Sequence, residues 1–294
     1  RISPSLTMNR GDWATNSGFS LRGIGTNVFS TNIDPSVSII VDDVAVVRSA
    51  QAFSDLSDIN RIEVLRGPQS TLFGKSASAG VINIVPNSPG DEFNGKIQGS
   101  KTDDDETSIS ATIGGPLSDT VGFRISAFDK DRSDGHIKNV TNNADVNGSQ
   151  SNGVRGKLVW DMTDSLSATL SVEHSESEST CCHRPYRDVP ADAAFLGAFP
   201  STAVLTSVTP SEDNSSVAVD DPTTDASESD SVALRFEADW GEHQFLSVTS
   251  YTEWGYDVTT DVDGTDFDLL AVFTGGALSG GISQGGGFEL ESLS

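Results

Sequence analysis

Apolar and polar residues alternate one by one along several stretches of the chain after residue 92. Strict alternation places the apolar side chains on one face of a strand and the polar side chains on the other. Gly, Ser, Asp and Asn residues separate these stretches, so the pattern predicts antiparallel hairpins rather than helices. The alternating stretches are 93–100, 108–113, 121–127, 154–160, 166–173 and 231–240.

Residues 1–90 follow a more varied pattern, which predicts a small α/β domain. A short helix is expected over 53–60, where Ser54 can act as the N-cap. Residues 91–294 are expected to form a second unit, built from the hairpins. In the first unit, strands are predicted over 37–41, 44–47, 61–65 and 80–85, the first two joined by a turn at Asp42-Asp43.

The one-sided apolar pattern of the hairpins fits two architectures. In a soluble sandwich the apolar face covers a core, whereas in an outer-membrane barrel it faces lipid and the polar face lines a wet lumen. Trp160 and Trp240 end strands beside short turns, as in the aromatic belt of a membrane interface or in an ordinary core. Short turns on one edge and long loops on the other favour a transmembrane barrel. The short connections are 114–120, 161–165 and 241–243, and the long ones are 136–151, 179–228 and 257–286.

The chain is strongly acidic, with 43 Asp+Glu against 18 Lys+Arg and a formal net charge of -25. A surface of this charge repels phosphates, so nucleic acid is not expected as a partner. No run of 18 apolar residues occurs, so no transmembrane helix is predicted.

Motifs that suggest an enzyme fail at the spacing or context they require. Gly74-Lys75 lacks the earlier Gly, separated from the pair by four residues, that a phosphate-binding loop needs, because position 69 is Gln. The segment 281–285 matches a nucleophile elbow, but a Gly-rich loop surrounds it where a strand and a helix are required. No convergent set of catalytic residues is present, so the protein is predicted not to be an enzyme and to need no cofactor.

Two clusters contain groups that bind metal ions in other proteins. The acidic segment 261–268 lacks the spacing of a calcium-binding loop, which favours a solvated loop. Adjacent Cys181 and Cys182, with His183 beside them and His174 upstream, fit a soft metal site or a vicinal disulfide. An oxidising exterior favours the disulfide, so no metal site is predicted.

Three stretches resemble the TonB-dependent outer-membrane receptors, in the order and at the spacing of that family. Phe19-Ser-Leu-Arg-Gly-Ile-Gly25 resembles a strand that ends in Arg-Gly. Val37-Ser-Ile-Ile-Val-Asp-Asp-Val44 resembles the next hairpin, although the family usually has Asp-Gly at the turn. Arg61-Ile-Glu-Val-Leu-Arg-Gly-Pro-Gln-Ser-Thr-Leu-Phe-Gly-Lys75, continued by Ala79-Gly-Val-Ile-Asn-Ile-Val85, resembles the longest signature of the family.

This resemblance implies that residues 1–90 are the later part of a plug domain and residues 91–294 the first strands of a barrel. Plugged barrels of this kind have about 22 strands, against seven and the start of an eighth in this chain. The TonB-contacting segment and the signal peptide are expected before Arg1.

The implied function is TonB-dependent transport of a scarce nutrient, foremost an iron–siderophore complex, across the bacterial outer membrane. The expected partners are the TonB complex, the siderophore and outer-membrane lipid. A receptor for cobalamin or a glycan, and a soluble β-rich binding or adhesion protein, are the alternatives.

The resemblance also implies two sets of functional residues. Ligand is expected at the plug apex, in loops whose residues offer hydrogen bonds, flat apolar area and a cation. Ion pairs between plug and barrel are expected at Arg61, Glu63 and Arg66. Their expected barrel partners are Arg124, Lys157, Glu173 or Glu237. The predicted ligand-binding residues are Thr26, Asn27, Phe29 and Asn32 in one loop and Arg48, Gln51 and Phe53 in the other.

Overall fold

The chain folds into an N-terminal region, within residues 1–90, that lies against one long sheet formed by eight strands from the rest of the chain. Hydrogen bonds such as those from Arg124 to Asp58 connect the two parts. A computed structural model describes residues 4–11, 13–26, 34–46, 48–53, 56–74, 76–189, 194–195, 199–200, 207–220, 223–261, 264–278 and 282–293.

Two small sheets build the N-terminal region. The first is antiparallel and has the order β1-β2-β3, with strands β1 (Leu6–Arg10), β2 (Ser17–Leu21) and β3 (Ile24–Gly25). The second contains β4 (Val37–Val41), β5 (Val44–Ala45), β6 (Ile59–Arg66) and β7 (Gly80–Pro86). Its order is β5-β4-β7-β6, with β4 and β7 parallel and the other pairs antiparallel.

Apolar side chains from both small sheets share one core. The β-branched residues of β4 and β7 suit extended strands, and both strands lie in the middle of their sheet, so both faces are covered. Leu21 from the first sheet is 2% exposed and packs in the same cluster as Ile82 and Ile84 from the second. The core residues are Phe19, Leu21, Val37, Ile39, Ala52, Ala79, Ile82 and Ile84.

Helices are few and short in the described residues. A 3-10 turn covers Gln51–Phe53, and α1 covers Ser70–Phe73. The helix predicted over 53–60 is wrong, because residues 57–58 form a turn and β6 begins at Ile59; Ser54 lies outside the described residues. Pairing of β6 with β7 outweighs the weak local helix signal. No described helix is long and apolar enough to cross a membrane.

Eight antiparallel strands form the long sheet, and each pairs with the next strand of the sheet along the chain. In chain order the remaining strands are β8 (Asn94–Lys101), β9 (Thr107–Pro116), β10 (Val121–Arg132), β11 (Ile137–Asn139), β12 (Asp145–Val146), β13 (Ser149–Thr163), β14 (Leu166–Ser179), β15 (Ala194–Phe195), β16 (Phe199–Pro200), β17 (Ser216–Val217), β18 (Thr224–Trp240), β19 (His243–Thr260) and β20 (Ile282–Leu293). The long sheet contains all of these except β11, β12, β15, β16 and β17. A short helix, α2 (Leu269–Thr274), precedes β20.

Side chains of the long sheet alternate between an inward face, which meets the N-terminal region, and an outward face. Arg124 and Lys157 point inward and bind carboxylates of the N-terminal region. Leu170 and Leu234 point outward and are 40% and 38% exposed. No described residue covers this outward apolar face, which is the arrangement that a lipid-facing barrel wall requires.

Aromatic side chains mark the end of the long sheet that carries the short connections. Trp160 and Trp240 lie outward near the ends of β13 and β18 and are 49% and 66% exposed. Trp240 stacks on Phe245 with ring centroids 6.1 Å apart. Their exposure favours the interfacial belt over the core packing that was the alternative for these residues.

The long connections pack together at the opposite end of the long sheet. Strands β11, β12 and β17 come from two different connections and form a three-stranded sheet. Asn139 is fully buried there, and its side chain donates to the carbonyl of Val219 (2.9 Å) and accepts from the Val219 N–H (3.1 Å). The buried apolar residues of this cluster are Ile137, Val146, Val217 and Val219.

Candidate ligand site

A buried ion pair joins the start of β6 to the long sheet. Arg124 donates two hydrogen bonds to Asp58, Nε to Oδ2 at 2.6 Å and Nη2 to Oδ1 at 2.7 Å. Burial raises the pKa of Asp58, but hydrogen bonds from Arg124 and Asn87 outweigh it and hold the pKa below its ordinary value. Asp58 is therefore a charged carboxylate at neutral pH and anchors this end of the N-terminal region.

The turn between β4 and β5 makes further contacts with the long sheet. Asp42 accepts hydrogen bonds from Lys157 Nζ and Ser171 Oγ, both at 2.8 Å. Asp43 Oδ2 lies 3.0 Å from Arg235 Nε. That pair lacks hydrogen-bond alignment, since Arg235 aims both terminal nitrogens at Glu237, at 2.8 Å each. The turn thus contacts three neighbouring strands, β13, β14 and β18.

The predicted ion pairs of β6 do not reach the long sheet in the described residues. Arg61 and Glu63 pair with each other at 2.8 Å, and Arg66 is exposed and takes part in no described ion pair. The reason is the sheet order, in which β6 is the edge strand opposite β5. The barrel partners expected for them are engaged elsewhere: Arg124 with Asp58, Lys157 with Asp42, Glu173 with Arg155 and Glu237 with Arg235. The barrel partners that were expected for Arg61, Glu63 and Arg66 are therefore wrong.

A second group of contacts between the N-terminal region and the long sheet lies closer to the long connections. Thr15, in the loop between β1 and β2, donates its N–H (2.9 Å) and its hydroxyl (2.8 Å) to Asp225 Oδ2. Gln51 donates to Ser229 Oγ at 2.6 Å. Trp13 packs against an inward-facing cluster of β19 that includes the stacked rings of Trp254 and Tyr256. The β1–β2 loop is thereby held on the wall of the long sheet.

A cavity of about 540 Å³ opens between this loop and the long sheet. Its lining includes Thr15 and Gln51 from the N-terminal region. It also includes four side chains that are cationic or can become so, from β1, β10 and the connection that follows β10. These are Arg10, Lys130, Arg132 and His136.

The cations of the cavity are only partly compensated by carboxylates. Arg132 Nη1 lies 3.8 Å from Glu106 Oε2, and the ammonium of Lys130 lies 5.0 Å from the Phe128 ring centroid. Two carboxylates also belong to the lining, Asp225 and Glu176. The first already accepts two hydrogen bonds from Thr15, and the second lies 3.6 Å from His174 on the outward face. The cavity thus has a cationic lining in a chain that is acidic as a whole.

The predicted ligand residues divide into three groups. Gln51 lines the cavity. Thr26 instead braces its own loop through Ser36 (Oγ1 to Oγ, 2.8 Å), and Arg48 is half-buried, with a pKa that burial lowers. Asn27, Phe29 and Asn32 lie outside the described residues, and for Phe53 only the backbone is described.

Sequence reasoning missed the β1–β2 loop and the cations of the cavity. Trp13, a large aromatic residue within a polar stretch, was an available signal for a buried loop. Lys130 and Arg132 were visible as closely spaced cations on one face of a strand in an acidic chain. Their proximity to Arg10 was not visible, because it depends on how the two parts of the chain dock.

The Cys-Cys-His motif does not form the soft metal site that was one of its interpretations. Cys181 and Cys182 are joined by a disulfide. His174 lies on the outward face of β14, with Nδ1 2.9 Å from Asp230 Oδ1. His183 is buried, which lowers its pKa, and its Nε2 accepts a hydrogen bond from the Thr223 N–H at 3.1 Å.

Comparison with known proteins agrees with this arrangement. Residues 1–81 match the TonB-dependent Receptor Plug Domain family. The pesticin receptor of Yersinia pestis is 32% identical over 145 residues, which cover 49% of this chain and 21% of that receptor. The iron-regulated outer membrane virulence protein of Vibrio cholerae is 28% identical over 189 residues, covering 58% and 26%. The chain thus spans a minor part of the length of these relatives.

Solved structures of receptors share the fold over the whole chain. The ferric yersiniabactin uptake receptor FyuA from Yersinia pestis superposes with a TM-score of 0.75 at 21% identity, covering 100% of this chain and 41% of that one. The siderophore receptor PirA from Acinetobacter baumannii gives 0.63 at 19% identity, covering 99% and 40%. The expected fold class, a small plug followed by antiparallel barrel strands, is confirmed. The family match thus covers the N-terminal region, and the fold shared with solved receptor structures extends through the long sheet.

Proposed function

We propose that this chain is part of a receptor that imports an anionic iron chelate across the bacterial outer membrane, driven by TonB. The observation that carries the proposal is the cationic cavity between the β1–β2 loop and the long sheet. With a formal net charge of -25, the chain as a whole repels anions. Gathering Arg10, Lys130 and Arg132 around one cavity creates a local site where an anion is favoured.

The size and position of the cavity fit such a ligand. Ligand sites typically enclose about 300–1,000 Å³, and this cavity has about 540 Å³. It lies at the end of the long sheet where the long connections pack, which is the extracellular end in an outer-membrane barrel. The names of the similar proteins, among them a ferric yersiniabactin receptor and a ferric enterobactin receptor, support an iron chelate over cobalamin or a glycan.

The contacts between the two parts of the chain supply a reason for an energy source. We propose that residues 1–90 form the plug and residues 91–294 the barrel wall, with lipid on the outward face. Ion pairs from Asp42 and Asp58, together with the Thr15–Asp225 contact, hold the plug on the wall. Moving it to open a path breaks these contacts, and TonB supplies the work. No covalent chemistry on the ligand is required.

The proposal is tested by uptake of iron-55 chelates into a strain that lacks its own chelate receptors and expresses the full-length receptor. Uptake is expected with TonB present and absent without it. Lys130→Gln/Arg132→Gln is expected to weaken binding about tenfold or more, since each cation contributes a charge-assisted hydrogen bond. Lys101→Gln is the matched control, because Lys101 is an exposed cation on β8, with Asp105 at 3.6 Å, and does not line the cavity. Uptake that is independent of TonB contradicts the proposal. Equal affinity of Lys130→Gln/Arg132→Gln and Lys101→Gln for the chelate also contradicts it.

A further inference from the structure

The vicinal disulfide lies on the wall of the same cavity. Cys181 and Cys182 are half-buried and belong to the lining, as do Met8 from β1 and Trp254 from β19. Three sulfur-bearing side chains and one indole therefore share the cavity with the cations. The chain has only two Met and two Cys, so three of its four sulfur atoms line this one cavity.

The segment that carries the disulfide is held from both sides. Asn147 donates from its side-chain amide to the His183 carbonyl at 2.8 Å and accepts from the His183 N–H at 2.8 Å. On the other side, the Thr180 N–H donates to the Gly148 carbonyl at 3.0 Å, and Thr180 Oγ1 accepts from the Gly148 N–H at 2.9 Å. These four hydrogen bonds enclose the two cysteines, so the sulfur surface is presented in a fixed position.

The chemistry of this surface selects the kind of group it can bind. A disulfide has no hydrogen-bond donor, and thioether and disulfide sulfurs are weak acceptors, so polar parts of a ligand gain little from them. Sulfur is polarizable and makes favourable contacts with aromatic rings. Trp254, whose ring stacks on Tyr256, also lines this cavity and adds an aromatic side chain to its wall.

We propose that Cys181 and Cys182, with Met8, form a sulfur-lined subsite that receives an aromatic ring of the chelate. This inference rests on the proposed function, because it assigns part of the ligand to part of the same cavity. The cations bind the anionic oxygen atoms around the iron, and the sulfurs contact the ring that carries those oxygens. The subsite thereby favours chelators built on aromatic rings over aliphatic ones.

The test compares two anionic probes in the purified full-length receptor: a ferric tris-catecholate, which has aromatic rings, and ferric citrate, which has none. Cys181→Ser/Cys182→Ser is expected to weaken the tris-catecholate between about twofold and tenfold, the range for sulfur–aromatic contacts, and to leave ferric citrate unchanged. Equal weakening of both probes, or of neither, overturns the subsite.

A second pair of variants leaves the disulfide intact and so does not depend on folding without it. Met8→Leu removes the third sulfur of the cavity at nearly constant volume, and Met162→Leu makes the same change near the short turn between β13 and β14, outside the cavity lining. Only the first is expected to weaken the tris-catecholate selectively, and equal effects of the two overturn the subsite. If the wild-type receptor binds neither probe, the result contradicts the proposed function as well. If Cys181→Ser/Cys182→Ser and Met8→Leu both bind the tris-catecholate as tightly as the wild type, the result contradicts the subsite alone.

Discussion

At the scale of single residues, the Asp42-Asp43 turn shows how a local cost is offset by distant contacts. The two residues have φ of 51° and 68°, in the left-handed region that favours Gly. An Asp there costs about 1 kcal/mol or more relative to Gly. Asp42 meets the buried ammonium of Lys157, which is 5% exposed, whereas the Asp43–Arg235 pair is 45% and 32% exposed. The two carboxylates therefore differ in what they contribute.

Substituting each carboxylate by Asn, which tolerates the same backbone conformation, separates the two contributions. Asp42→Asn leaves the Lys157 ammonium buried without its counter-ion and is expected to cost about 3 kcal/mol or more. Asp43→Asn removes a solvent-screened pair and is expected to cost less than about 1 kcal/mol. Urea unfolding of the full-length receptor in lipid vesicles measures both. Equal costs, or a larger cost at Asp43, contradict this account.

At the scale of secondary-structure elements, the strands of the long sheet are longer than their alternating stretches. β18 was predicted over 231–240 and extends over Thr224–Trp240, and β13 was predicted over 154–160 and extends over Ser149–Thr163. Apolar and polar residues alternate along a strand only where one face of the strand meets an apolar environment and the other does not. Where a strand continues beyond lipid, polar residues occupy both faces and the pattern ends although the pairing does not. The extended part of the strands forms the wall of the cavity.

The proposed lipid-facing part of the strands can be tested at one position on each face. Leu170→Arg places a charge on the outward face and is expected to cost about 2–4 kcal/mol near the middle of the bilayer. Thr169→Arg, one residue away on the inward face, places it in the wet lumen and is expected to cost much less. The measurement is folding into lipid vesicles at increasing urea concentration. Similar costs at the two positions count against a membrane barrel.

At the scale of the whole molecule, the ion pairs that dock the N-terminal region on the long sheet all have the same arrangement of charge. Carboxylates of that region, Asp42, Asp43 and Asp58, face cations of the long sheet. Arg61 and Glu63 pair within the N-terminal region and contribute nothing to docking in the described residues. Docking therefore depends on a few ion pairs that bridge the two parts, supported by the Trp13 contact near the cavity.

Loss of two of these ion pairs is expected to loosen the proposed plug without any ligand present. Asp42→Asn/Asp58→Asn removes both buried pairs, and the two effects are expected to add because the pairs share no partner. Passive entry of vancomycin, measured as a lowered inhibitory concentration in cells that express the receptor, is expected to increase several-fold. Arg61→Gln/Glu63→Gln is the control, since that ion pair bridges nothing. A control that leaks as much as the double variant refutes the role of the bridging pairs.

Much of this architecture follows from local sequence. Alternation with period two predicted the strands and their faces, since a strand that separates lipid from water requires amphipathic side chains in that order. The Asp42-Asp43 turn and the strands around it were predicted from flanking β-branched runs, and the signature motifs predicted the match of residues 1–81 to the plug-domain family. The disulfide at Cys181-Cys182 was favoured because adjacent cysteines in an oxidising exterior have few other partners.

The tertiary structure alone decided which charges meet and where a ligand fits. The order β5-β4-β7-β6 sends the charges of β6 to an edge and brings Asp42 to Lys157. The cavity joins Arg10 to Lys130, residues that are distant in the chain, and adds the cysteines from a third segment. Local patterns specify which side of a strand is polar, but strand order and docking set which polar groups become neighbours. That information lies in long-range packing, and so the site could not be assembled from the sequence.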